Sequence, residues 1–397
     1  MLLGGLRYLK PVIEAAHNQG YYVITADYLP DNIAHRYSDE YCNVSIINKS
    51  EVLKKAQELR IDGIMSFACD PGVVTASYVQ NQMGLPSFGP YESVEILQNK
   101  DRFRAFLSEN GFNAPWAFSF ANKEEAWEAH GKFEYPLIVK PVDSAGSKGC
   151  TRVDNESHLK KAIDYAFKHS IKKRIIVEEF LDKKGCSSDS DSYTYKGKLQ
   201  FISFSAQRFD LNAINPYTPA AYSWPSTFTK EEEGYLTDEI QRLISLLGMN
   251  TSVFNIETRI GKNNKPYIME MSPRGGGNRL CEMLRYATGI DMITAITRSV
   301  VGDEPAQIKQ KTYNGHWAEI ILHTDVDGIF DGLQLDPLLS NKVIEKDIWV
   351  KPGDLIHSFE AANNAIGTLI LRFDNAKELE DAITNQDQWL KICVRHK

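Results

Sequence analysis

The chain has 397 residues, 43% hydrophobic and 24% charged, the balance of an ordinary water-soluble protein too long for one core. Its 45 basic and 52 acidic side chains leave a formal charge of −7, which argues against non-specific nucleic-acid binding, and the sequence shows no basic arm. Six scattered cysteines (Cys42, Cys69, Cys150, Cys186, Cys281 and Cys393) lack a C-x-x-C pair or matching histidines, so neither a zinc cage nor a disulfide framework is expected. No apolar run reaches the roughly 18 residues of a membrane span and no signal-peptide pattern appears, so the expected location is the cytoplasm, without a membrane partner.

Leu2-Leu3-Gly4-Gly5 reads as the end of a strand entering a glycine turn; either this first strand is very short or the natural chain starts upstream. A helix follows, with apolar residues at Leu9, Val12, Ile13 and Ala16, ended by Gly20. Tyr21 to Asp27 reads as a buried strand, Glu51 to Leu59 as a helix and Ile61 to Phe67 as the next strand. This alternation predicts a parallel sheet with helices on both faces. G-x-G-x-x-G is absent, which argues against a dinucleotide site. The turn-rich stretch Gly84 to Pro90 closes a first domain, residues 1–90.

Tyr91 to Gln98 and Lys100 to Asn110 predict two helices broken near Asn99. Strand, helix and strand follow at Trp116 to Phe120, Lys123 to His130 and Pro136 to Pro141. Lys140, at the end of that apolar strand, needs an anionic partner. Asp143-Ser144-Ala145-Gly146-Ser147-Lys148-Gly149 then forms a flexible loop. Its small residues suit either close approach of backbone N–H groups to phosphate oxygens or a plain glycine hairpin; no Walker loop is present.

Arg174 to Leu181 is an apolar strand ending in acids, and Ser188 to Tyr193 with Leu199 to Phe204 a hairpin. Asn212 to Ser226 reads as a loop with Tyr217, Tyr222 and Trp224, either a contact for an acceptor or plain surface. A helix from Lys230 to Leu247 precedes a second hairpin, in which Phe254 to Arg259 and Ile268 to Arg274 flank a short polar turn. Alternation puts Glu257 and Arg259 on one face, and Glu270, Ser272 and Arg274 on one face. Two carboxylates brought together this way repel unless a cation lies between them, and oxygen ligands suit Mg²⁺. The other reading is a solvated hairpin.

Arg274-Gly275-Gly276-Gly277-Asn278-Arg279 permits close backbone approach to an anionic group. With Arg259 and Arg279 nearby it offers a place for a carboxylate; alternatively it is a tight strand-to-helix turn with Arg279 paired to Glu282 at the surface. His17, His35, His130 and His169 lack ligand spacing, and Trp116 and Trp127 read as packing. Beyond Asp303, Trp317 to Leu322 and Ile366 to Phe373 are predicted strands and Ala376 to Thr384 a closing helix.

In order, Lys100, Lys140 before a glycine loop, Glu178-Glu179-Phe180-Leu181, Glu257 and Glu270-x-Ser272-Pro273-Arg274 resemble the ATP-grasp superfamily along nearly the whole chain. The likeness is to its carboxylate–amine ligases, the biotin carboxylase, carbamoyl-phosphate synthase and L-amino acid ligase-like branch. It implies an α/β and α+β multidomain protein. An N-terminal parallel α/β domain (1–90) would precede a two-lobed nucleotide-binding domain (91–302, with a mobile lid lobe at about 115–190) and a small C-terminal β-rich domain (303–397).

The resemblance also implies roles. Lys100 and Lys140 would hold the α- and β-phosphates of ATP. Ser144, Gly146, Ser147 and Gly149 would belong to the loop closing over the triphosphate. Glu178, with Glu179, Phe180 and Leu181, would read the adenine edge. Glu257, Glu270 and Ser272 would hold Mg²⁺, with Mn²⁺ as substitute, and Arg274 would stabilise the transferring phosphoryl group. Two positions depart from the family pattern. Ser272 stands where Asn is usual, and the expected ribose acid is missing, with Asp182 the nearest acid. The implied reaction joins a small-molecule carboxylate to an amine through an acylphosphate, in a homodimer. A kinase of a carboxylate or amide, a phosphoribosylglycinamide synthetase-like purine-pathway ligase and a nucleotide-binding regulator without turnover are the alternatives.

Overall fold

The computed structural model describes residues 1–143 and 149–395. Its first layer is a parallel sheet of β1 (Leu2–Leu3), β2 (Ile24–Asp27), β3 (Glu40–Asn43) and β4 (Met65–Ser66), in the order β3-β2-β1-β4. Helices α1 (Lys10–His17), α2 (Lys49–Glu58) and α3 (Asp70–Met83) connect and cover it. The first strand is only two residues long, and of the predicted strand Ile61 to Phe67 only Met65 and Ser66 pair. Helix α3 went unread because its start, Cys69-Asp70-Pro71-Gly72, resembles a loop. Proline at the second position of a helix is nevertheless well tolerated, since its missing N–H has no partner there anyway.

Helices α4 (Tyr91–Leu97) and α5 (Lys100–Glu109) lead into a four-stranded antiparallel sheet. That sheet comprises β5 (Ala117–Phe120), β6 (Leu137–Pro141), β7 (Thr151–Val153) and β8 (Ile175–Glu179), backed by α6 (Lys123–Glu128) and α7 (Leu159–His169). Its apolar core, including Leu137, Val139, Ile163 and Val177, is separate from the main one.

The next strands are β9 (Ser188–Tyr195), β10 (Lys198–Phe201), β11 (Ala206–Phe209) and β12 (Pro219–Trp224). After α8 (Lys230–Leu246), started by a capping box at Thr229 and Glu232, come β13 (Ser252–Ile260) and β14 (Pro266–Ser272). β10-β9-β13-β14 form one antiparallel sheet, whose β13–β14 pair is the predicted hairpin. α9 (Leu280–Thr288) and α10 (Met292–Ser299) pack beneath it.

The chain then adds β15 (His316–Leu322), β16 (Gly328–Leu335), β17 (Val343–Ile348), β18 (Leu355–Ile356), β19 (Gly367–Phe373) and β20 (Leu390–Arg395). β15, β17 and β19 share a five-stranded sheet with β11 and β12, in the order β11-β12-β15-β19-β17. The stretch Asn212 to Ser226 is therefore not simply a loop. Its second half is β12, and Tyr222 and Trp224 are fully buried. Prolines at both ends (Pro219 and Pro225) hid the alternation of this strand. No helix among the described residues is long and apolar enough to cross a membrane.

Candidate active site

Three adjacent strands line up two polar rows on one sheet face. Asp189 of β9 is opposite Glu257 of β13, which is opposite Glu270 of β14. One step along, Asp191 is opposite Asn255, which is opposite Ser272. Because side chains repeat every second residue, the two rows share a face.

The carboxylate row is answered by lysines and arginines from neighbouring elements. Lys100, at the first turn of α5, places Nζ 2.8 Å from Glu270 Oε1. Burial alone would push the Glu270 carboxyl up, but Lys100 and Lys140 outweigh it and hold it below the ordinary range. Lys140 ends β6 and puts Nζ 2.6 Å from Glu178 Oε1. Arg104 of α5 donates Nε to Glu178 Oε2 at 2.9 Å and Nη1 to the Met269 carbonyl at 2.7 Å. Glu178 is 1% exposed; burial opposes its charge, yet Arg104 and Lys140 bring its carboxyl down to about 2.

Beyond Glu178 the chain leaves the sheet. The Glu179 amide donates to the Trp116 carbonyl at 3.0 Å and the Phe180 amide to Pro136 at 3.3 Å. The Leu181 amide makes no backbone hydrogen bond among the described residues. The Leu181 side chain forms a small apolar cluster with Tyr267 and Met269, and its carbonyl accepts from Arg259 at 3.1 Å. Arg259 also lies 3.4 Å from Glu257.

At the end of β14, Arg274 grips Asp70 with both prongs of its guanidinium, Nε to Oδ1 and Nη2 to Oδ2, each at 2.7 Å. Its Nη1 reaches the Asn255 side-chain oxygen at 3.3 Å and the Gly275 carbonyl at 2.9 Å. Ser272 donates to Asp70 at 3.1 Å and accepts from Gln98 at 2.7 Å. The glycines permit this closeness. A Cβ on Gly275 would stand 2.2 Å from the Phe67 ring, and one on Gly276 2.9 Å from Asp191. The Gly276 amide instead donates to both Asp191 oxygens, at 2.9 and 3.0 Å.

A family model described as the ATP-grasp domain matches residues 133–282. This stretch is an ATP-grasp domain. Among solved structures, an L-amino acid ligase from Bacillus licheniformis is similar at TM-score 0.83 and 19% identity, over 100% of this chain and 98% of that one. Phosphoribosylglycinamide synthetase from Anaerococcus prevotii reaches 0.77 at 20% identity, over 99% and 98%. The dimeric biotin carboxylase domain of Hydrogenobacter thermophilus 2-oxoglutarate carboxylase, in complex with MgADP, ADP and bicarbonate, reaches 0.74 at 15% identity, over 99% and 90%. At these identities the likeness is one of fold.

The ATP-grasp domain brings together most of the residues singled out in the sequence. Lys100, Lys140, Glu178 and Glu270 form linked ion pairs, and Glu257 faces Glu270. Ser144, Gly146 and Ser147 lie outside the described residues. Gly149 has φ +76°, and a Cβ there would meet His169 and Pro141 at 2.8 Å. Other contacts are now visible. The Glu178 carboxylate pairs with Lys140 and Arg104. The anionic group approached by the triglycine backbone is the protein's own Asp191. Arg279 does pair with Glu282 at 2.9 Å, but it is 10% exposed and also meets Glu345 at 2.8 Å and Asp347 at 3.3 Å.

Asp70, Arg104, Asp189, Asp191 and Asn255 were missed by sequence reasoning. The signal for the last three was present in strand alternation: Asp189 and Asp191 are two apart in a serine-rich strand, and Asn255 is two before Glu257. Asp189 feels the consequence, its carboxyl pushed up to about 7 by burial and then by Glu257.

Proposed function

We propose that this protein is an ATP- and Mg²⁺-dependent carboxylate–amine ligase that forms an amide or peptide bond through an acylphosphate. The observation that carries the reading is the facing pair Glu257 and Glu270, with Lys100 on one side and the Asp70-held Arg274 on the other. Two carboxylates opposite one another, with the Ser272 hydroxyl on the same face, fit Mg²⁺. Glu257 and Glu270 would hold it, and Ser272 has one lone pair left to offer after its bonds to Asp70 and Gln98. When bound, the ion offsets charge on the β- and γ-phosphates.

The chain's own groups account for the rest. Lys140, anchored by Glu178, and Lys100 bind the α- and β-phosphates. The Leu181 amide and the Glu179 carbonyl suit the adenine edge, with Leu181, Tyr267 and Met269 against the base and Phe180 beside it. Ser144, Gly146, Ser147 and Gly149 belong in this reading to the loop over the triphosphate. A carboxylate oxygen of the substrate attacks the γ-phosphorus as the bond to ADP breaks. The amine nitrogen then attacks the acyl carbon, phosphate leaves, and the amine gives up a proton. Arg274, fixed in direction by Asp70, would hold the anionic intermediate. A cytoplasmic homodimer acting on small molecules completes the reading.

The test is ADP release from Mg²⁺-ATP with carboxylic acids alone and then with amines, products read by mass spectrometry. Release that requires both partners, with an amide product, supports the ligase. A phosphorylated acid released without any amine would replace it with a kinase.

A further inference from the structure

Outside the carboxylate row, one group of ligand-type side chains converges at an end of the five-stranded sheet. β12 runs antiparallel to both β11 and β15, so the carboxyl ends of β11 and β15 emerge at the same end, one strand apart. Asp210 directly follows β11, and His323 and Asp325 follow β15. One ligand atom from each of the three lies within 4.8 Å of the other two. We propose that Asp210, His323 and Asp325 bind a single transition-metal ion of the zinc class, which clasps the loop 210–218 to the C-terminal domain.

The histidine ring is set as a metal ligand's ring is set. Its Nδ1 lies 2.7 Å from the Ile321 carbonyl oxygen. A carbonyl only accepts, so Nδ1 carries the hydrogen and Nε2 of the neutral ring keeps its lone pair. The ring is stacked on Phe359, with centroids 4.2 Å apart, and the side chain is 7% exposed. Nε2 faces Asp210 Oδ2 at 3.2 Å. Two acceptors at that distance need a cation or a second ring proton between them. A tetrahedral ion with bonds of about 2.1 Å spaces its ligand atoms about 3.4 Å apart. The other Asp210 oxygen accepts from the Asn212 amide at 2.8 Å, the kind of outer bond that fixes a ligating carboxylate.

Asp325 supplies the way in. It is exposed, and its carboxylate has no hydrogen-bond or ion-pair partner among the described residues. With Thr324, Asp331 and Cys393 it lines an open cavity of about 410 Å³, room for an ion to arrive with its water. A second ring proton would also join His323 to Asp210, but it gives Asp325 nothing. Mg²⁺ and Ca²⁺ favour oxygen-only shells, whereas an imidazole beside two carboxylates suits Zn²⁺, with water in the fourth position. The loop so clasped carries Leu211, 83% exposed. Asn215 already ties it to the Glu360 carbonyl at 3.0 Å, and the ion adds a tie at its other end.

Equilibrium dialysis of the full-length protein against Zn²⁺ alone, at neutral pH, tests the site. Wild type should bind one ion that Asp325→Asn and His323→Gln each weaken by at least about tenfold, the lower end of what even an outer-shell partner is worth. No bound Zn²⁺, or equal binding in the variants, overturns the proposal. The free cysteines could also take zinc, so Co²⁺ reads the ligands. Visible absorption without a thiolate charge-transfer band, lost in the variants, supports the trio; a thiolate band that the variants retain overturns it. Asp325 is exposed, so Asp325→Asn carries the test if His323→Gln does not fold. Limited proteolysis reads the clasp: Zn²⁺ should slow chymotrypsin cleavage after Leu211 in wild type and have no effect in Asp325→Asn. Zn²⁺ bound at the trio with cleavage unchanged overturns the clasp. ATP and substrates are absent from these measurements, so their outcome is separate from that of the ligase reading.

Discussion

Arg274 and Asp70 are joined by two parallel hydrogen bonds of 2.7 Å, although 204 positions separate them in the chain. Asp70 opens the helix after the last parallel strand of the N-terminal sheet, and Arg274 follows the hairpin of the ATP-grasp domain. The backbone repeats the connection, the Ala68 amide donating to the Gly275 carbonyl at 3.1 Å. The N-terminal sheet therefore sets the direction of a site arginine.

Removing Asp70 should expose that dependence. Asp70→Ala leaves a largely buried guanidinium without its acid, a change that costs about 3 kcal/mol in comparable pairs. Urea denaturation would read that loss. Arg274→Lys keeps the charge but cannot make the two-pronged bond, so turnover should drop by about tenfold or more with ADP-analogue affinity unchanged. Equal loss of nucleotide affinity would place Arg274 in nucleotide binding.

Glu178 gives a pH signature. Its folded carboxyl titrates at about 2, below the ordinary value near 4.3, so the unfolded chain binds the proton more readily. The stabilisation is fully present above the unfolded value and is lost as pH falls from about 5 towards 2. A gap of about two pKa units corresponds to about 3 kcal/mol. Denaturation from pH 7 down to pH 3 should show a shallower acid limb for Glu178→Gln than for wild type. The variant should also be less stable at pH 7, since Lys140 and Arg104 lose their shared anion.

Much of this arrangement was legible because it is local. The β13–β14 hairpin follows from alternation around a polar turn, and Glu257 and Glu270 meet through strand geometry alone. Lys140 declared its need for an acid by sitting on an apolar strand. Which acid answered could not be read, because Glu178 comes from a strand 38 positions away, and Arg104 from a helix 74 positions before that acid. Asp70 was invisible for the same reason. Its role arises only when the N-terminal sheet docks on Gly275, and docking has no period in the sequence. Strand β12 failed locally, where prolines at its ends outweighed the alternation of Tyr222 and Trp224.

The two glycines behind Arg274 should tolerate no side chain. Gly276→Ala places a methyl 2.6 Å from Leu280, 2.8 Å from the Asn255 amide nitrogen and 2.9 Å from Asp191. Gly275→Ala drives one into the Phe67 ring at 2.2 Å. Overpacking of this kind costs about 1–3 kcal/mol, and the Gly276 variant also disturbs the amide bonds that satisfy Asp191. Thermal melting of both should show a loss. A Gly277→Ala control, where no atom lies within 4 Å of the added methyl, should melt close to wild type.

Glu257 should separate activity from stability. In the metal-free protein it faces Glu270 and, on its other side, Asp189, whose carboxyl it helps push up to about 7. Because Asp189 holds its proton more tightly folded than unfolded, its contribution to stability falls as pH rises from about 4 to 7 and stays low above that. Glu257→Gln relieves this repulsion while deleting a carboxylate proposed to hold Mg²⁺. The variant should therefore be more stable than wild type at pH 8 without Mg²⁺, by about 0.5–1 kcal/mol. It should also lose the stabilisation that wild type gains when Mg²⁺ and ATP are added together. Melting curves at pH 5 and pH 8, each with and without Mg²⁺-ATP, measure both effects. A variant less stable than wild type at pH 8 without metal would mean that Glu257 serves the fold through Arg259, and that the carboxylate row is not held under repulsion.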